Sequence, residues 1–170
     1  MPRQRLVGIM NRGEIMTAAT EPRLKVKSMI PVFELESVDG KRVNLWDYKG
    51  RKHMVLAFLP PDCPICLDFM EATADAYHQY EEEYAVFLPV IVGRREQAEA
   101  LQDELHPPYP ILFDQHGKVA ERYADRLPAI FVADKFGQLY AEWIIEPGEQ
   151  LPTQREILDV LDAIELECPE

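Results

Sequence analysis

Two cysteines three positions apart are the residues of this sequence best suited to chemistry. Cys63 and Cys66 form a C-x-x-C motif within residues 60–66, which read PPDCPIC. If the motif lies on a helix, the two thiols stand within one turn of each other and can interchange between a dithiol and a disulfide. In a chain with three cysteines, such a pair is typical of a redox site or of half of a zinc site.

The residues around the pair predict which thiol attacks first. Pro64 suits the first position of a helix, which leaves Cys63 as the residue that caps the helix. The free N–H groups and the dipole of a helix start favour a thiolate, and lower the pKa of a cysteine from about 8.5 to about 3.5–7.5. Cys66 is expected on the buried face, protonated until it attacks a mixed disulfide on Cys63. We therefore predict Cys63 as the nucleophile and Cys66 as the resolving cysteine.

Asp62 opposes this assignment, because a carboxylate beside a thiol raises the pKa of that thiol. The sequence alone leaves the net direction for Cys63 open. If Asp62 is exposed, water and salt screen its charge, and the helix start should dominate.

The elements that position the motif are a central strand and a helix. The apolar run 54–59 does not alternate, as expected of a strand covered on both faces, and an amphipathic helix follows the motif to about residue 82. Residues 84–92 predict a second buried strand, in which Pro89 indicates a bulge or an early end. A second helix is predicted at 94–105.

The remaining elements complete an α/β pattern. They are a hairpin at 31–45, an extended segment at 111–113, a short helix at 118–123, a hairpin formed by 129–133 and 138–144, and a closing helix from Thr153. Thr153 and Glu156 have the spacing of a capping box. This order predicts a mixed sheet with helices on both faces.

Composition and charge narrow the class of protein. The chain has 170 residues, of which 47% are hydrophobic and 28% charged, as in one folded globular domain. Residues 1–27 hold six Lys or Arg against two Asp or Glu, and are predicted to be a flexible basic arm before a redox domain at 28–170. The net charge of −12 argues against nucleic acid or a membrane as a partner. No secretory signal or membrane span is visible, so a cytoplasmic location is expected.

Residues 28–165 resemble the thioredoxin-like superfamily, in its peroxiredoxin-like branch of alkyl hydroperoxide reductase/thiol-specific antioxidant (AhpC/TSA) proteins. The hairpin at 33–41, the link at 45–50 and the segment 113–123 are similar to that branch, while residues 63–66 are similar to the thioredoxin redox motif. The resemblance implies a thioredoxin-like fold, with a central mixed sheet, helices on both faces and an added N-terminal β-hairpin. It also implies antioxidant activity and a role in cell redox homeostasis.

The resemblance implies a cis-proline that faces the redox pair. Pro128, within residues 127–131, is the residue that matches it. Its backbone would pair with an extended substrate as a short added strand. A trans proline that opens a strand is the alternative. The predicted catalytic residues are therefore Cys63, Cys66 and Pro128.

The sequence departs from both parent patterns. Peroxiredoxins carry P-x-x-x-T-x-x-C and a distant arginine, in which Thr and Arg polarise the peroxide that the Cys attacks. Cys66 matches that cysteine, whereas Cys63 stands at the Thr position and the proline spacing is off by one. No arginine directly follows Pro128, and Arg126 is the candidate guanidinium nearby. Compared with thioredoxin, Asp62 replaces the usual tryptophan.

Three functions are open at this level. The sequence favours a thiol–disulfide oxidoreductase that uses a thiol reductant, needs no cofactor, and reduces disulfides of proteins or small molecules. The first alternative is a peroxidase that reduces hydroperoxides with Cys66 or Cys63. The second is a redox-inert binding or metal module. A zinc site would need two ligands from Cys168 and four histidines without paired spacing, so no metal is expected. Cys168 can resolve a sulfenic acid or link two chains, but is expected to be an exposed tail thiol.

Overall fold

The computed structural model describes residues 23–167. Its strands are β1 (Glu34–Glu36), β2 (Arg42–Asn44), β3 (His53–Leu59), β4 (Ala85–Ile91), β5 (Leu112–Phe113), β6 (Ala129–Ala133) and β7 (Leu139–Ile144). Its helices are α1 (Pro64–Asp75), α2 (Tyr77–Glu82), α3 (Arg95–Leu105), α4 (Ala120–Tyr123) and α5 (Gln154–Glu167). A short 3-10 helix spans Leu45–Tyr48.

Strands β3 to β7 form one mixed sheet in the order β5-β4-β3-β6-β7. β3 and β5 both run parallel to β4, while β6 runs antiparallel to both β3 and β7. β1 and β2 form a separate antiparallel hairpin, in which Leu35 pairs with Val43. This architecture confirms the predicted α/β fold with a central mixed sheet and an added hairpin.

The hydrophobic core has one layer on each face of the sheet. β3 is buried along its whole length, as its unbroken apolar run predicts. Side chains of α1, α2 and α5 pack on one face with Val55 and Ala57. The hairpin and α4 cover the other face, around Leu56 and Phe58. Helices therefore lie on both faces of the sheet. The redox motif directly follows β3, the central strand.

The long helix predicted after the motif is divided in two at Ala76, whose backbone leaves the helical region at φ −99° and ψ 7°. The break lets the rings of α2 meet the sheet. Tyr77 lies 5.6 Å from Tyr109 and Tyr80 lies 6.3 Å from Phe87, measured between ring centroids. No glycine or proline marks the break, so the apolar stripe predicts one continuous helix.

Pro89 neither ends β4 nor forms a bulge, contrary to the sequence prediction, since it pairs in register with Ala57. The carbonyl of Tyr84 and the N–H of Val92 both bond to β3. The even-numbered residues between them therefore direct their backbone groups towards β3, and the odd-numbered residues, including Pro89, direct theirs towards β5. β5 begins to pair with β4 only at Val90. The missing N–H of Pro89 therefore removes no ladder hydrogen bond.

Most of the predicted arm, and Cys168, lie outside the described residues. The last part of the arm contacts the domain, because Leu24 is buried in the layer around Phe58. The N–H of Lys27 donates to the carbonyl of Leu139 at 2.7 Å. The chain therefore packs on the domain already at Leu24, ahead of residue 28.

Candidate active site

Cys63 and Cys66 are joined by a disulfide where β3 leads into α1. The two Sγ atoms are 2.04 Å apart and the two Cα atoms 5.2 Å apart. Cys63 is the N-cap residue of α1, with extended backbone angles, and Pro64 is the first helical residue. No side chain of the described residues caps this helix start by a hydrogen bond. The local geometry predicted from Pro64 is confirmed.

The two cysteines differ in exposure. Cys66 is 3% exposed and belongs to the core layer that also contains Phe69 and Met70. Cys63 is half-buried and lies at the edge of that layer. A molecule approaching from solvent therefore reaches Cys63 first, while Cys66 stays behind it within bonding distance.

Asp62 is exposed to solvent, next to the half-buried Cys63. This satisfies the condition under which water and salt screen its carboxylate. We therefore expect the start of α1 to have the larger effect on the reactivity of Cys63.

The peptide bond between Leu127 and Pro128 is cis. Since Ala129 pairs with Phe58, the antiparallel register places Pro128 beside Leu59, the last residue of β3 before the redox loop. The carbonyl of Pro128 already accepts the N–H of Ile145 at 3.0 Å, and proline has no N–H. Pro128 thus lies at the same end of the sheet as the disulfide, but its own backbone is engaged inside the fold.

Arg126 does not present its guanidinium to the disulfide. It is exposed, and its Nη1 donates to Oε1 of Glu146 at 3.1 Å. Glu146 lies in the turn after β7, and Arg126 is not among the residues that line the space beside Cys63.

A groove of about 550 Å³ runs beside the disulfide, between α1 and α3; we call it the α1–α3 groove. The cysteines and the loop before them form one side, and residues of α1, β4 and α3 form the rest: Pro60, Pro61, Asp62, Cys63, Pro64, Cys66, Leu67, Met70, Ile91, Gln97, Ala100, Leu101 and Glu104. The charged residues among them are Asp62 and Glu104, and no Lys or Arg contributes to this lining.

Gly93 sets the distance between the redox loop and α3. A Cβ atom there would lie 3.2 Å from Cγ of Pro61 and 2.5 Å from Oε1 of Gln97. That amide oxygen accepts the N–H of Arg94 at 2.8 Å and so helps to cap α3. Any larger residue at position 93 would have to displace the capping side chain or press on the redox loop.

Sequence reasoning missed the contribution of α3. Gln97, Ala100, Leu101 and Glu104 all line the groove, and their spacing is that of one helical face. This face mixes polar, small and apolar residues, so it shows neither a core stripe nor a binding motif. Only the position of α3 beside α1, which the tertiary fold sets, reveals it.

No metal centre is evident in the part of the chain that the structure describes. Within residues 23–167, no group of three or more His, Cys, Asp or Glu side chains is placed to hold a metal ion. None of the four histidines lines the groove beside the cysteines: His53 begins β3, and His78, His106 and His116 are exposed.

Comparison with known proteins identifies relatives of two kinds. The sequence model of the AhpC/TSA family matches residues 26–142. Peroxiredoxin Bcp of Bacillus subtilis is 28% identical over 134 residues, which cover 71% of this chain and 85% of that protein. The chloroplastic peroxiredoxin Q of Suaeda salsa is 32% identical over 124 residues, covering 72% of this chain and 51% of that protein. The chain thus spans about half the length of the peroxiredoxin Q relative.

The other kind is a thiol–disulfide oxidoreductase. ResA of Bacillus thuringiensis subsp. konkukian is 25% identical over 138 residues, which cover 80% of this chain and 78% of that protein. Among solved structures, peroxidoxin BcpB from Mycobacterium tuberculosis superposes with a TM-score of 0.72 at 20% identity, over 83% of this chain and 98% of that one. The predicted thioredoxin-like fold is confirmed, and both kinds of relative are thiol-dependent redox enzymes.

Proposed function

The chain belongs to the AhpC/TSA family, and on that premise we propose that it is a thiol–disulfide oxidoreductase that cycles Cys63 and Cys66 between dithiol and disulfide. The observation that carries the proposal is the unequal exposure of two bonded cysteines at a helix start, with Cys66 only 3% exposed. The sulfur of Cys63 is accessible to a substrate, and the sulfur of Cys66 lies behind it, which suits exchange by two successive attacks.

In the reduced enzyme, the Cys63 thiolate attacks one sulfur of a substrate disulfide. A Cys63–substrate bond forms, the substrate S–S bond breaks, and the other substrate sulfur leaves as a thiolate. Cys66 then loses its proton to solvent and attacks the Cys63 sulfur, which releases the second substrate sulfur. The Cys63–Cys66 disulfide remains, and an external thiol reductant returns two electrons and two protons.

Backbone groups at the start of α1 support the first step. The carbonyl of Cys63 accepts the N–H groups of Cys66 and Leu67, which closes the first turn of α1 directly after Cys63. The positive end of the helix dipole at such a position stabilises a thiolate.

We propose a positioning role for the cis-proline loop. Pro128 shapes the end of the sheet next to the redox loop, while its own carbonyl is bonded to Ile145. Main-chain pairing with an extended substrate would therefore fall to Leu127, the residue on the other side of the cis bond.

A peroxidase is the second candidate, favoured by the similarity to peroxiredoxins. In that reaction the Cys63 thiolate would attack the peroxide O–O bond, giving a sulfenic acid and releasing water or an alcohol, and Cys66 would condense with the sulfenic acid to form the disulfide and water. Two observations weigh against it: Arg126 is paired with Glu146, and no cationic side chain lines the groove beside Cys63.

The two activities are separated by mixing the reduced chain with either 2-hydroxyethyl disulfide or hydrogen peroxide in rapid-quench experiments. Mass spectrometry then follows the loss of two hydrogens across Cys63 and Cys66. We expect the disulfide to oxidise the pair, and peroxide to do so no faster than it oxidises free cysteine thiolate. Oxidation by peroxide that is faster than that of free cysteine thiolate, and faster than oxidation by the disulfide, would replace the oxidoreductase by the peroxidase. Failure of both reagents to oxidise the pair would refute both functions.

Two observations bear on the cellular compartment of the protein. No helix within residues 23–167 combines the length and the apolar character needed to cross a membrane. The redox pair uses two of three cysteines, so no structural disulfide can form within the chain beside it. We propose that the protein works in a reducing, cytoplasmic compartment, with a thiol reductant as its electron donor.

A further inference from the structure

The α1–α3 groove is larger than thiol exchange requires. Attack on a disulfide needs access to one sulfur atom, whereas the groove measures about 550 Å³, which lies in the range of sites that hold a ligand. It begins at the cysteines and extends along α3 to Glu104, two turns after Gln97. A molecule bonded to Cys63 would therefore have this space beside it.

The chemistry of the groove is apolar inside and acidic at its edges. Half-buried Leu67 and Leu101 contribute apolar surface to the groove, above the buried Met70 and Ile91. Asp62 and Glu104 are both exposed, and neither has an ion-pair partner within the described chain. By contrast, Glu99 on another side of α3 is paired with Arg95 at 3.0 Å. The two carboxylates of the groove are thus available to a positively charged ligand.

We propose that the α1–α3 groove binds the polypeptide segment next to a substrate cysteine, and that it selects apolar and cationic segments over anionic thiols. The inference rests on the proposed oxidoreductase function and names the substrate class of the same site. A lysine or arginine near the substrate cysteine would meet Asp62 or Glu104, and an aliphatic side chain would cover Leu67 and Leu101. Glutathione, which carries two carboxylates, would be repelled by the same groups.

The groove adds no covalent step to the exchange. The mixed disulfide forms on Cys63, and the substrate segment next to the bonded cysteine lies along α3 for as long as the mixed disulfide persists. Exposed charges of this kind act mainly on the rate of encounter, and their effect decreases as salt is added. Selectivity should therefore appear in the second-order rate constant and weaken at high salt.

A second, smaller groove provides the internal comparison. It measures about 350 Å³ and lies on the opposite side of α1, lined by Ile65, Phe69, Ala72 and residues 150–154, with Asp68 as its charged residue. A segment bound there would not meet Glu104. Substitutions on the two sides of α1 can therefore show which groove is used.

The first test uses two synthetic peptides that each contain one internal disulfide and the same aliphatic residues, flanked by lysine in one and by glutamate in the other. The reduced chain should react with the lysine peptide about tenfold faster at low salt, and the ratio should fall towards one at high salt. Reaction with 2-hydroxyethyl disulfide is measured alongside. Equal rates for the two peptides would overturn the inference while leaving the oxidoreductase intact, whereas no reaction with any disulfide would refute the function itself.

The second test assigns the selectivity to the groove. Glu104→Gln should lower the ratio of lysine-peptide to glutamate-peptide rates by about two- to fivefold. Asp103→Asn removes an equal charge from the neighbouring, exposed residue of α3, which does not line the groove, and should leave the ratio unchanged. An equal effect of both variants would mean that the overall negative charge steers the substrate, and the groove would lose its assigned role.

The third test fills each groove in turn. Ala100→Phe places a ring in the α1–α3 groove and Ala72→Phe places one in the smaller groove, and both residues are exposed on helices. The readout is the lysine-peptide rate divided by the 2-hydroxyethyl disulfide rate, with circular dichroism as the check of folding. We expect Ala100→Phe to lower this quotient at least about threefold, and Ala72→Phe to leave it unchanged. The opposite result would move the binding site to the other side of α1.

Discussion

The backbone carbonyl of Cys63 accepts the N–H of Cys66 at 3.0 Å, so the first turn of α1 closes on the second cysteine. This contact places the two thiols on one turn, with the first before the helix and the second inside it. Because Cys66 is also 3% exposed, we expect access as well as the helix start to favour first attack by Cys63.

That order predicts different products for the two single serine variants. With 5,5′-dithiobis(2-nitrobenzoic acid), Cys66→Ser should keep a stable mixed disulfide on Cys63, because no resolving thiol remains. Cys63→Ser should react at least about tenfold more slowly, because Cys66 is buried. Wild-type protein, which releases the reagent and forms the internal disulfide, is the control. A stable adduct that forms readily on Cys63→Ser would reverse the assignment in favour of a peroxiredoxin-like attack by Cys66.

Asp62 should lower the reactivity of Cys63 without abolishing it. Asp62→Asn removes a negative charge next to Cys63, so alkylation of reduced Cys63 by iodoacetamide near neutral pH should become about two- to fivefold faster. The effect should shrink with added salt, since Asp62 is exposed. Asp75→Asn, at the far end of α1, is the matched control and should not change the rate. A slower reaction of Asp62→Asn would mean that the carboxylate assists the thiol, for example by accepting its proton.

The part of the site that depends on local sequence was predictable. Pro64 and the apolar run before the motif place a helix start at Cys63 from interactions within a few residues, and the structure has the same arrangement. Pro128 was found only through the family resemblance, because a cis bond leaves no pattern in composition or periodicity. These features concern neighbours in the chain or a shared motif.

The part that depends on tertiary contacts was not predictable. The groove is formed by Gly93 and α3 approaching Pro61 across about 30 positions of sequence, and no local propensity encodes that distance. The break at Ala76 likewise depends on where Tyr109 and Phe87 lie in the folded sheet. Pro89 is tolerated because β5 is too short to reach it, which is a property of the neighbouring strand.

Glu83 should make the stability of the fold depend on pH. Burial, and then repulsion by Asp162 and Glu165, raise the pKa of Glu83 above its usual value. A carboxyl with a raised folded pKa contributes stability when it is protonated, and this contribution is lost as the pH rises through the folded pKa.

Glu83→Gln should therefore raise the free energy of unfolding at about pH 7 by about 0.5 kcal/mol, and the difference should decrease towards about pH 4, below the unfolded pKa. Urea unfolding at the two pH values measures it. The exposed Glu81→Gln is the control and should show a smaller difference between the two pH values. A gain in the free energy of unfolding that is larger at about pH 4 than at about pH 7 would contradict a raised pKa of Glu83 in the folded protein.

His53 should stabilise the end of the sheet that lies opposite the disulfide. Its Nδ1 accepts the N–H of Lys135 at 3.0 Å, so the neutral ring carries its proton on Nε2, which donates to Oε2 of Glu165 at 2.5 Å. His53 is fully buried, and these two contacts tie β3 to the β6–β7 turn and to α5.

His53→Ala would leave a cavity and the N–H of Lys135 without its acceptor, so it should lower the free energy of unfolding by about 3 kcal/mol. His78→Ala, at an exposed position of α2, should change it by less than about 0.5 kcal/mol. Because β3 separates His53 from the redox loop by about 20 Å, the folded His53→Ala variant should reduce 2-hydroxyethyl disulfide at the wild-type rate. A stability loss no larger than that of His78→Ala would show that the buried pair is energetically neutral, and a slower reaction of the folded variant would place His53 within reach of the chemistry.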